Sequence, residues 1–538
     1  MVIGVASATS AAAGSYETPA TAGSHETPAA ADFYGDSCEG LADLGLADVN
    51  QISAELVTTG SFKDPEGEGQ DQEDLPEFCR VALTVEPQVN IEVWLPTDTY
   101  NGRFQAVGNG YMAGFIAYSS MSPALRAGYA TASTDTGHPD TGTSGAFALA
   151  ENGERNWQLI EDFASRSLFE LTKKSQQLIE AFYGNEPEYS YWTGCSTGGR
   201  QGLMLAQRMP AAYDGILSEA PAINWDRFLV AEMWPQVVMH QDLGGPIPTC
   251  KLELATEAAV EYCDPLDGVV DGLLEDPRRC DFDPASLIGQ ETPCGVFTEG
   301  EAAAIQKIWD GPRAADGSFL WYGLEPGAPL GDDPAGVGET GGVWEPGEAG
   351  WDRLAGTNPF LVSEQYIKYF VLADPDWDYR TLTYEGFEQV FRQSQEMFND
   401  VIGTDDPDLS AFRDSGGKVL SWHGWNDRMI FPMGSIDYFD RVQEELGGDV
   451  TDFARLFMAP GVDHCAGGPG PQPVDPFAEL VDWVENGDAP EQLTAQRVEN
   501  DQVVQTRPLC LYPAVAQYTG TGSIDEAANF ECLTGPVD

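Results

Sequence analysis

The segment Tyr189-Ser190-Tyr191-Trp192-Thr193-Gly194-Cys195-Ser196-Thr197-Gly198-Gly199-Arg200-Gln201-Gly202 runs from strand to turn to helix. Tyr189 to Thr193 is rich in aromatic residues, as strands are. Gln201 to Gln207 continues as a helix. The turn between them fits G-x-S-x-G. A serine hydroxyl is a weak nucleophile and must stand free on a sharp bend. There a base can reach it, and the next backbone N–H can face a substrate oxygen. Alone the motif is weak, because any glycine-rich βα turn can contain it. The strand before and the helix after supply the context it needs, and Ser196 is the candidate nucleophile.

Outward from this turn, Arg80 to Glu86, Asn90 to Leu95, Phe104 to Val107 and Gly128 to Ser133 read as strands. Trp157 to about Phe182 has the three- and four-residue apolar spacing of a helix. Alternating strands and helices predict an α/β fold with a parallel sheet. Between about 224 and 409 the alternation stops, and a Gly/Pro-rich run spans Gly323 to Gly350. Strands resume at Lys418 to Trp422 and Arg455 to Ala459. The expected organisation is a catalytic domain of residues 34–223 and 410–538, interrupted by an inserted lid of residues 224–409. In open α/β sheets ligands bind beyond the carboxyl ends of the strands, and an insertion there covers the site. Residues 1–33, small and polar with a near-repeated hexapeptide, read as a disordered leader.

A serine nucleophile needs a histidine, and the chain has five. His25 lies in the leader, His138 precedes the nucleophile and His240 lies in the insertion. His423 sits four residues before Asp427, on the strand end that supplies the acid. His464 follows the last strand, where the order Ser…Asp…His places the base. Asp427 is the candidate acid. It ends Trp422-His423-Gly424-Trp425-Asn426-Asp427 and is preferred over Asp463, whose side chain as a sequence neighbour points elsewhere. Cys195 precedes Ser196 and Cys465 follows His464, so a disulfide between them would tie nucleophile and base loops together.

The ten cysteines are even in number, dispersed and free of CxxC patterns, which fits structural disulfides in an oxidising compartment. Export is expected on that ground. Met1 to Gly14 is apolar and small, but no Lys or Arg precedes it, which is atypical of a signal peptide. The formal net charge of −60, with 87 acidic residues against 27 basic ones, argues against nucleic-acid binding. It suits a high-salt environment or, equally, an acidic secreted protein. No apolar run is long enough for a membrane helix. The oligomeric state is not readable.

Gly194-Cys195-Ser196-Thr197-Gly198-Gly199-Arg200-Gln201-Gly202, Trp422 to Asp427 and Asp463-His464-Cys465 together resemble the tannase and feruloyl esterase family. Smaller matches are Asn101-Gly102-Arg103-Phe104, Ser133-Thr134-Asp135-Thr136-Gly137-His138, Ala220-Pro221-Ala222 and Asp406-Pro407-Asp408-Leu409 with Gly416-Gly417-Lys418. The resemblance covers roughly Cys38 to Cys532. It implies an α/β-hydrolase domain with a large inserted lid, a Cys195–Cys465 bridge and hydrolysis of small aromatic carboxylic esters. Gallate, ferulate and, in a few members, terephthalate esters are substrates. The family's unbroken glycine run at the oxyanion loop reads Gly108-Asn109-Gly110-Tyr111 here. The expected oxyanion donors are the N–H groups of Thr197 and Gly110.

Cys263-Asp264-Pro265-Leu266-Asp267-Gly268-Val269-Val270-Asp271-Gly272-Leu273 spaces three carboxylates over eight residues. Calcium takes six to eight oxygens. Asp264, Asp267 and Asp271 would supply charge, and the carbonyls of Val269 and Leu273 would complete the ring. The plain alternative is an acidic turn in an acidic protein. The resemblance implies a structural lid calcium at these positions, with a Cys263–Cys280 pair closing the loop. It also implies Cys38–Cys79 and Cys510–Cys532 bridges, leaving Cys250 and Cys294 to pair by subtraction.

The expected activity is thus ping-pong acyl transfer by Ser196, His464 and Asp427, with calcium in the lid and no organic cofactor. A terephthalate-monoester hydrolase is an alternative within esterases. A serine peptidase of the same fold and a non-catalytic ligand-binding relative are the rivals.

Overall fold

A computed structural model describes residues 37–65, 71–139, 142–331 and 359–534. The leader of residues 1–33 and the part of the Gly/Pro-rich run beyond residue 331 lie outside the described residues.

Nine strands form one sheet: β1 (Val49–Val57), β2 (Phe78–Val85), β3 (Val89–Pro96), β4 (Arg103–Val107), β5 (Ala130–Thr134), β6 (Tyr189–Cys195), β7 (Gly215–Glu219), β8 (Lys418–Gly424) and β9 (Ala454–Ala459). Their spatial order is β1-β2-β3-β5-β4-β6-β7-β8-β9. The first three strands and β5 pair antiparallel, and β5 through β9 run parallel. The parallel part has helices on both faces, which its side-chain alternation requires. In β6 Trp192 enters the core on one face and Tyr191 the core on the other; Val419 and Leu420 of β8, and Leu456 and Phe457 of β9, divide in the same way.

The helix expected from Trp157 comprises Trp157–Glu161, a π turn at Asp162–Arg166 and Ser167–Tyr183. Beside that turn the fully buried Arg200 donates from Nη1 to Ala164 O (2.9 Å) and from Nη2 to Phe163 O (3.3 Å). Its guanidinium also lies over the rings of Phe163 and Trp225.

Among the described residues, those between β7 and β8 add no strand to this sheet. They form short helices around a separate apolar core of Trp225, Phe228, Phe297, Tyr366, Phe370, Phe387 and Phe398. That core reaches the sheet unit through Met112, Phe147, Phe163, Ile430 and Phe431. The insertion therefore sits over the carboxyl ends of the parallel strands.

Candidate active site

The β6-to-helix bend places Ser196. Its backbone has φ 63° and ψ −123°, a conformation a non-glycine residue adopts only when its surroundings impose it. Helix α1 (Thr197–Arg208) starts at the next residue. Ser196 N–H donates to Glu219 O (3.0 Å) of β7, and Ser196 O accepts from the Arg200 and Ala222 N–H groups (3.0 Å each). The glycines permit the close approach. A Cβ on Gly194 would lie 2.6 Å from the Gly198 carbonyl carbon, and one on Gly108 would lie 2.4 Å from Gly198 Cα.

Asp427 follows β8 and is fully buried. Its Oδ1 accepts the backbone N–H groups of Met429 and Ile430, both at 2.9 Å. Its Oδ2 accepts from His464 Nδ1 at 2.7 Å and from His423 Nε2 at 2.9 Å. Burial alone would push this carboxyl up; the His464 and His423 rings outweigh it and hold the group well below the usual carboxylate range. His464 follows β9, and its contact to Asp427 through Nδ1 leaves Nε2 for the cavity. His464 Nδ1 thus meets Asp427, the acid expected in preference to Asp463.

Cys195 and Cys465 are disulfide-bonded across 270 residues of sequence. A ring nitrogen of His464 lies within 4.8 Å of both sulfurs, so the bridge runs directly beside this imidazole. Cys38–Cys79, Cys250–Cys294, Cys263–Cys280 and Cys510–Cys532 are bonded as well.

Ser196, Thr197 and His464 open into one cavity, lined otherwise by Tyr111, Ala222, Trp225, Phe228, Leu229, Phe360, Val362, Met429 and Ile430. Among the described residues this lining carries no Lys, Arg, Asp or Glu. Thr197, as the first residue of α1, has a backbone N–H without an intrahelical acceptor. Its hydroxyl donates to Tyr111 O (2.5 Å), tying the loop of Gly108 to Tyr111 to the helix. Gly110 immediately precedes Tyr111, and its carbonyl accepts from Ala113 N–H (2.9 Å). Asn109, the departure from the glycine run, anchors this loop. Its N–H donates to Gln201 Oε1 (3.0 Å), its Oδ1 accepts from Gln201 Nε2 (3.0 Å), and its Nδ2 donates to Phe115 O and Thr134 O (2.8 and 2.9 Å).

The remaining histidines lie elsewhere. His138 is buried and stacks on Phe147 at 3.7 Å between ring centroids, and burial lowers it to about 4. His240 faces Tyr379 in the insertion, and His25 lies outside the described residues.

In the acidic loop Asp264 folds the chain on itself, its two oxygens accepting Asp271 N–H (3.1 Å) and Gly272 N–H (3.0 Å). Asp267 Oδ1 accepts Val269 N–H (2.9 Å), and Asp271 Oδ1 accepts Leu273 N–H (3.2 Å). Arg507 pairs with Asp271 and with Glu275 Oε1 (2.9 Å). The three loop carboxylates do not converge on one point. Among the described residues, the group of three ligand-type side chains with ligand atoms within 4.8 Å of each other is Cys195, His464 and Cys465, and its sulfurs are spent in the disulfide. Carboxylate and carbonyl oxygens are nonetheless the donor type that a hard divalent ion takes. Asp267 is raised to about 6, by burial first and by the charges of Asp271 and Asp264 after it.

Sequence reading missed two features. It set His423 aside as a rival base, yet this ring binds the same carboxylate as His464. It also left the cavity wall unassigned, because periodicity in short lid helices does not say which face meets the nucleophile.

The family model described as tannase and feruloyl esterase matches residues 75–533. The chain is 40% identical over 473 residues, covering 85% of it and 86% of the relative, to a probable feruloyl esterase of Arthroderma benhamiae. It is 29% identical over 574 residues, covering 93% of it and 92% of the relative, to a mono(2-hydroxyethyl) terephthalate hydrolase of Piscinibacter sakaiensis. The crystal structure of feruloyl esterase B from Aspergillus oryzae superposes with a TM-score of 0.81 at 28% identity, covering 92% of this chain and 99% of that one. With the α/β-hydrolase sheet and its inserted lid, these matches make the chain a member of the tannase and feruloyl esterase family and a carboxylic ester hydrolase.

Proposed function

We propose that the protein is an exported serine esterase that cleaves esters of phenolic aromatic acids of the feruloyl type through Ser196, His464 and Asp427. The observation carrying this reading is the 2.7 Å contact of His464 Nδ1 with the buried Asp427 carboxylate, in a cavity that the strained Ser196 also lines. In this mechanism Asp427 holds His464 as the Nδ1–H tautomer, so Nε2 takes the Ser196 proton as Oγ attacks the ester carbonyl. The backbone N–H of Thr197, with that of Gly110 as the second donor, stabilises the oxyanion. His464 returns the proton to the leaving alcohol. Water then attacks the acyl-enzyme with His464 again as base, releasing the acid. The five disulfides support an oxidising, extracellular setting.

The apolar cavity wall favours a neutral aromatic acyl group over a ring that carries a carboxylate, since a buried unpaired charge is costly. Methyl ferulate should therefore have a kcat/KM at least about tenfold above that of a terephthalate monoester. A panel of methyl ferulate, methyl gallate and mono(2-hydroxyethyl) terephthalate measures this, and a terephthalate preference would contradict the substrate reading. Ester hydrolysis without peptide cleavage separates the esterase from a peptidase.

For the lid loop we propose calcium, held by the carboxylates of Asp264, Asp267 and Asp271 and the carbonyls of Val269 and Leu273. When bound, the ion supplies charge neutralisation and a cross-link near Cys263–Cys280. Chelation with EDTA should lower Tm by several degrees, on the order of 2 kcal/mol, and added calcium should restore it. The Asp267→Asn variant should respond much less. An unchanged Tm on chelation would remove the ion from the account.

A further inference from the structure

The Asp427 carboxylate holds two imidazoles, and ester hydrolysis uses one of them. The other, His423, is the penultimate residue of β8 and is fully buried. Its Nε2 lies 2.9 Å from Asp427 Oδ2 and 3.0 Å from Ile430 O, and its Nδ1 lies 2.8 Å from Ser435 Oγ. A backbone carbonyl oxygen only accepts, so Nε2 carries the proton and is shared between the two oxygens. In this Nε2–H tautomer Nδ1 is a lone pair, and the Ser435 hydroxyl donates to it. Ser435 is itself buried, near the start of helix α2 (Met433–Leu446).

We infer that His423 is a positioning residue for the esterase: backed by Ser435, it fixes the Asp427 oxygen that receives His464 Nδ1–H. The inference rests on the reading of Ser196, His464 and Asp427 as the reacting set. A carboxylate offers about four lone-pair sites. Here Met429 N–H, Ile430 N–H, His464 Nδ1–H and His423 Nε2–H fill them, so the carboxylate plane is over-determined. Two donors on Oδ2 also divide its charge. His423 orients the acid and at the same time moderates the pull of Asp427 on the His464 imidazolium.

Other ionisable groups surround the pair. From the lid, the fully buried Glu232 carboxyl is raised well above the ordinary range, by burial first and by the Asp427 charge second. Arg428, next to Asp427, is buried and donates from Nη1 to Gly331 O (3.1 Å). Neither stands in for the His423 donor, which comes from the strand itself.

The test compares wild type with His423→Phe, His423→Gln and Ser435→Ala. Hydrolysis of p-nitrophenyl acetate is measured from about pH 4 to pH 9, with folding checked by near-UV circular dichroism. His423→Phe keeps a ring but loses the donor. Its kcat should fall about tenfold or more with KM within about twofold, and the acid limb of kcat/KM should move to higher pH by about half a unit, because Asp427 Oδ2 then serves His464 alone. His423→Gln places an amide N–H near the Nε2 position and should recover most of kcat. Ser435→Ala should lose about two- to fivefold, with a shift in the same direction. Wild-type kinetics and pH profile in His423→Phe would overturn the inference. So would equal impairment of the Phe and Gln variants with an unmoved profile, which is the result of simple packing. Should His423→Phe fail to fold, an unmoved Ser435→Ala profile overturns it. Labelling of wild-type Ser196 by a fluorophosphonate separates the two levels. Absence of labelling sinks the triad reading itself, whereas labelling with unmoved profiles sinks only the role of His423.

Discussion

Ser196→Ala should lose ester turnover by roughly 10⁴-fold or more while keeping its fold and its affinity for the ester. The substitution removes one oxygen at a position whose φ of 63° already costs on the order of 1–3 kcal/mol. Alanine there leaves the hydrogen bonds to Glu219 and Ala222 intact, because those are made by the backbone. Circular dichroism and Tm should therefore match wild type. Removing Ser196 removes the acyl-enzyme route altogether, and what remains is the effect of the backbone donors on attack by water. His464→Ala should give a loss of the same order, and the double variant little more, because residues acting as one unit are not additive. A Ser196→Ala enzyme within tenfold of wild type would place the nucleophile elsewhere.

The second large effect concerns the bridge. Replacing Cys195 and Cys465 together by serine should cut kcat by about 10²-fold while leaving secondary structure at 25 °C unchanged. In the chain-entropy picture a cross-link over 270 residues is worth at most about 5.6 kcal/mol. Cys250–Cys294 and Cys263–Cys280 lie inside that loop and shorten it, so the stability loss is smaller than this bound. Geometry sets the kinetic loss. The bonded cysteines flank the nucleophile and the base, and Cys465 itself has φ 62°, a conformation that the bond and the packing of the loop hold. Once the bridge is cut, the His464 loop is free to relax, and a displacement of about 1 Å is enough to cost 10²-fold. Turnover and Tm measured on the same preparation check this. Loss of fold in step with activity would reduce the bridge to a stability element.

Much of this arrangement was legible in the sequence because its parts are local. Gly194 to Gly198 sits between a strand and a helix, and Asp427 and His464 follow within a few residues of the ends of two later strands. Among the strands with buried faces, β2 to β6, β8 and β9 were readable from their apolar residues, with ends within a residue or two, whereas the short β7, Gly215-Ile216-Leu217-Ser218-Glu219, was missed because it has only two large apolar residues. β1 was not, because Val49–Val57 lies at the sheet edge with none of its residues buried, so neither face imposes alternation. The hairpin of Gln492–Glu499 and Gln502–Cys510 was also missed. Its two-residue loop is Asn500-Asp501, both at positive φ, a less emphatic turn signal than Asn-Gly. In the site, His423 was read as a competitor of His464, since spacing alone cannot say that two imidazoles meet one carboxylate oxygen. Trp225, Phe228 and Phe360 of the cavity wall come from insertion segments whose packing depends on a second core. No local pattern announces which of their residues face Ser196.

The claim that Ser196 is the nucleophile activated by His464 is tested most directly by peptide mapping after fluorophosphonate treatment. The account predicts a single phosphonyl adduct on the peptide carrying Ser196, formed in step with loss of activity and suppressed in His464→Ala. An adduct on another serine, or full inactivation with Ser196 unmodified, would contradict it.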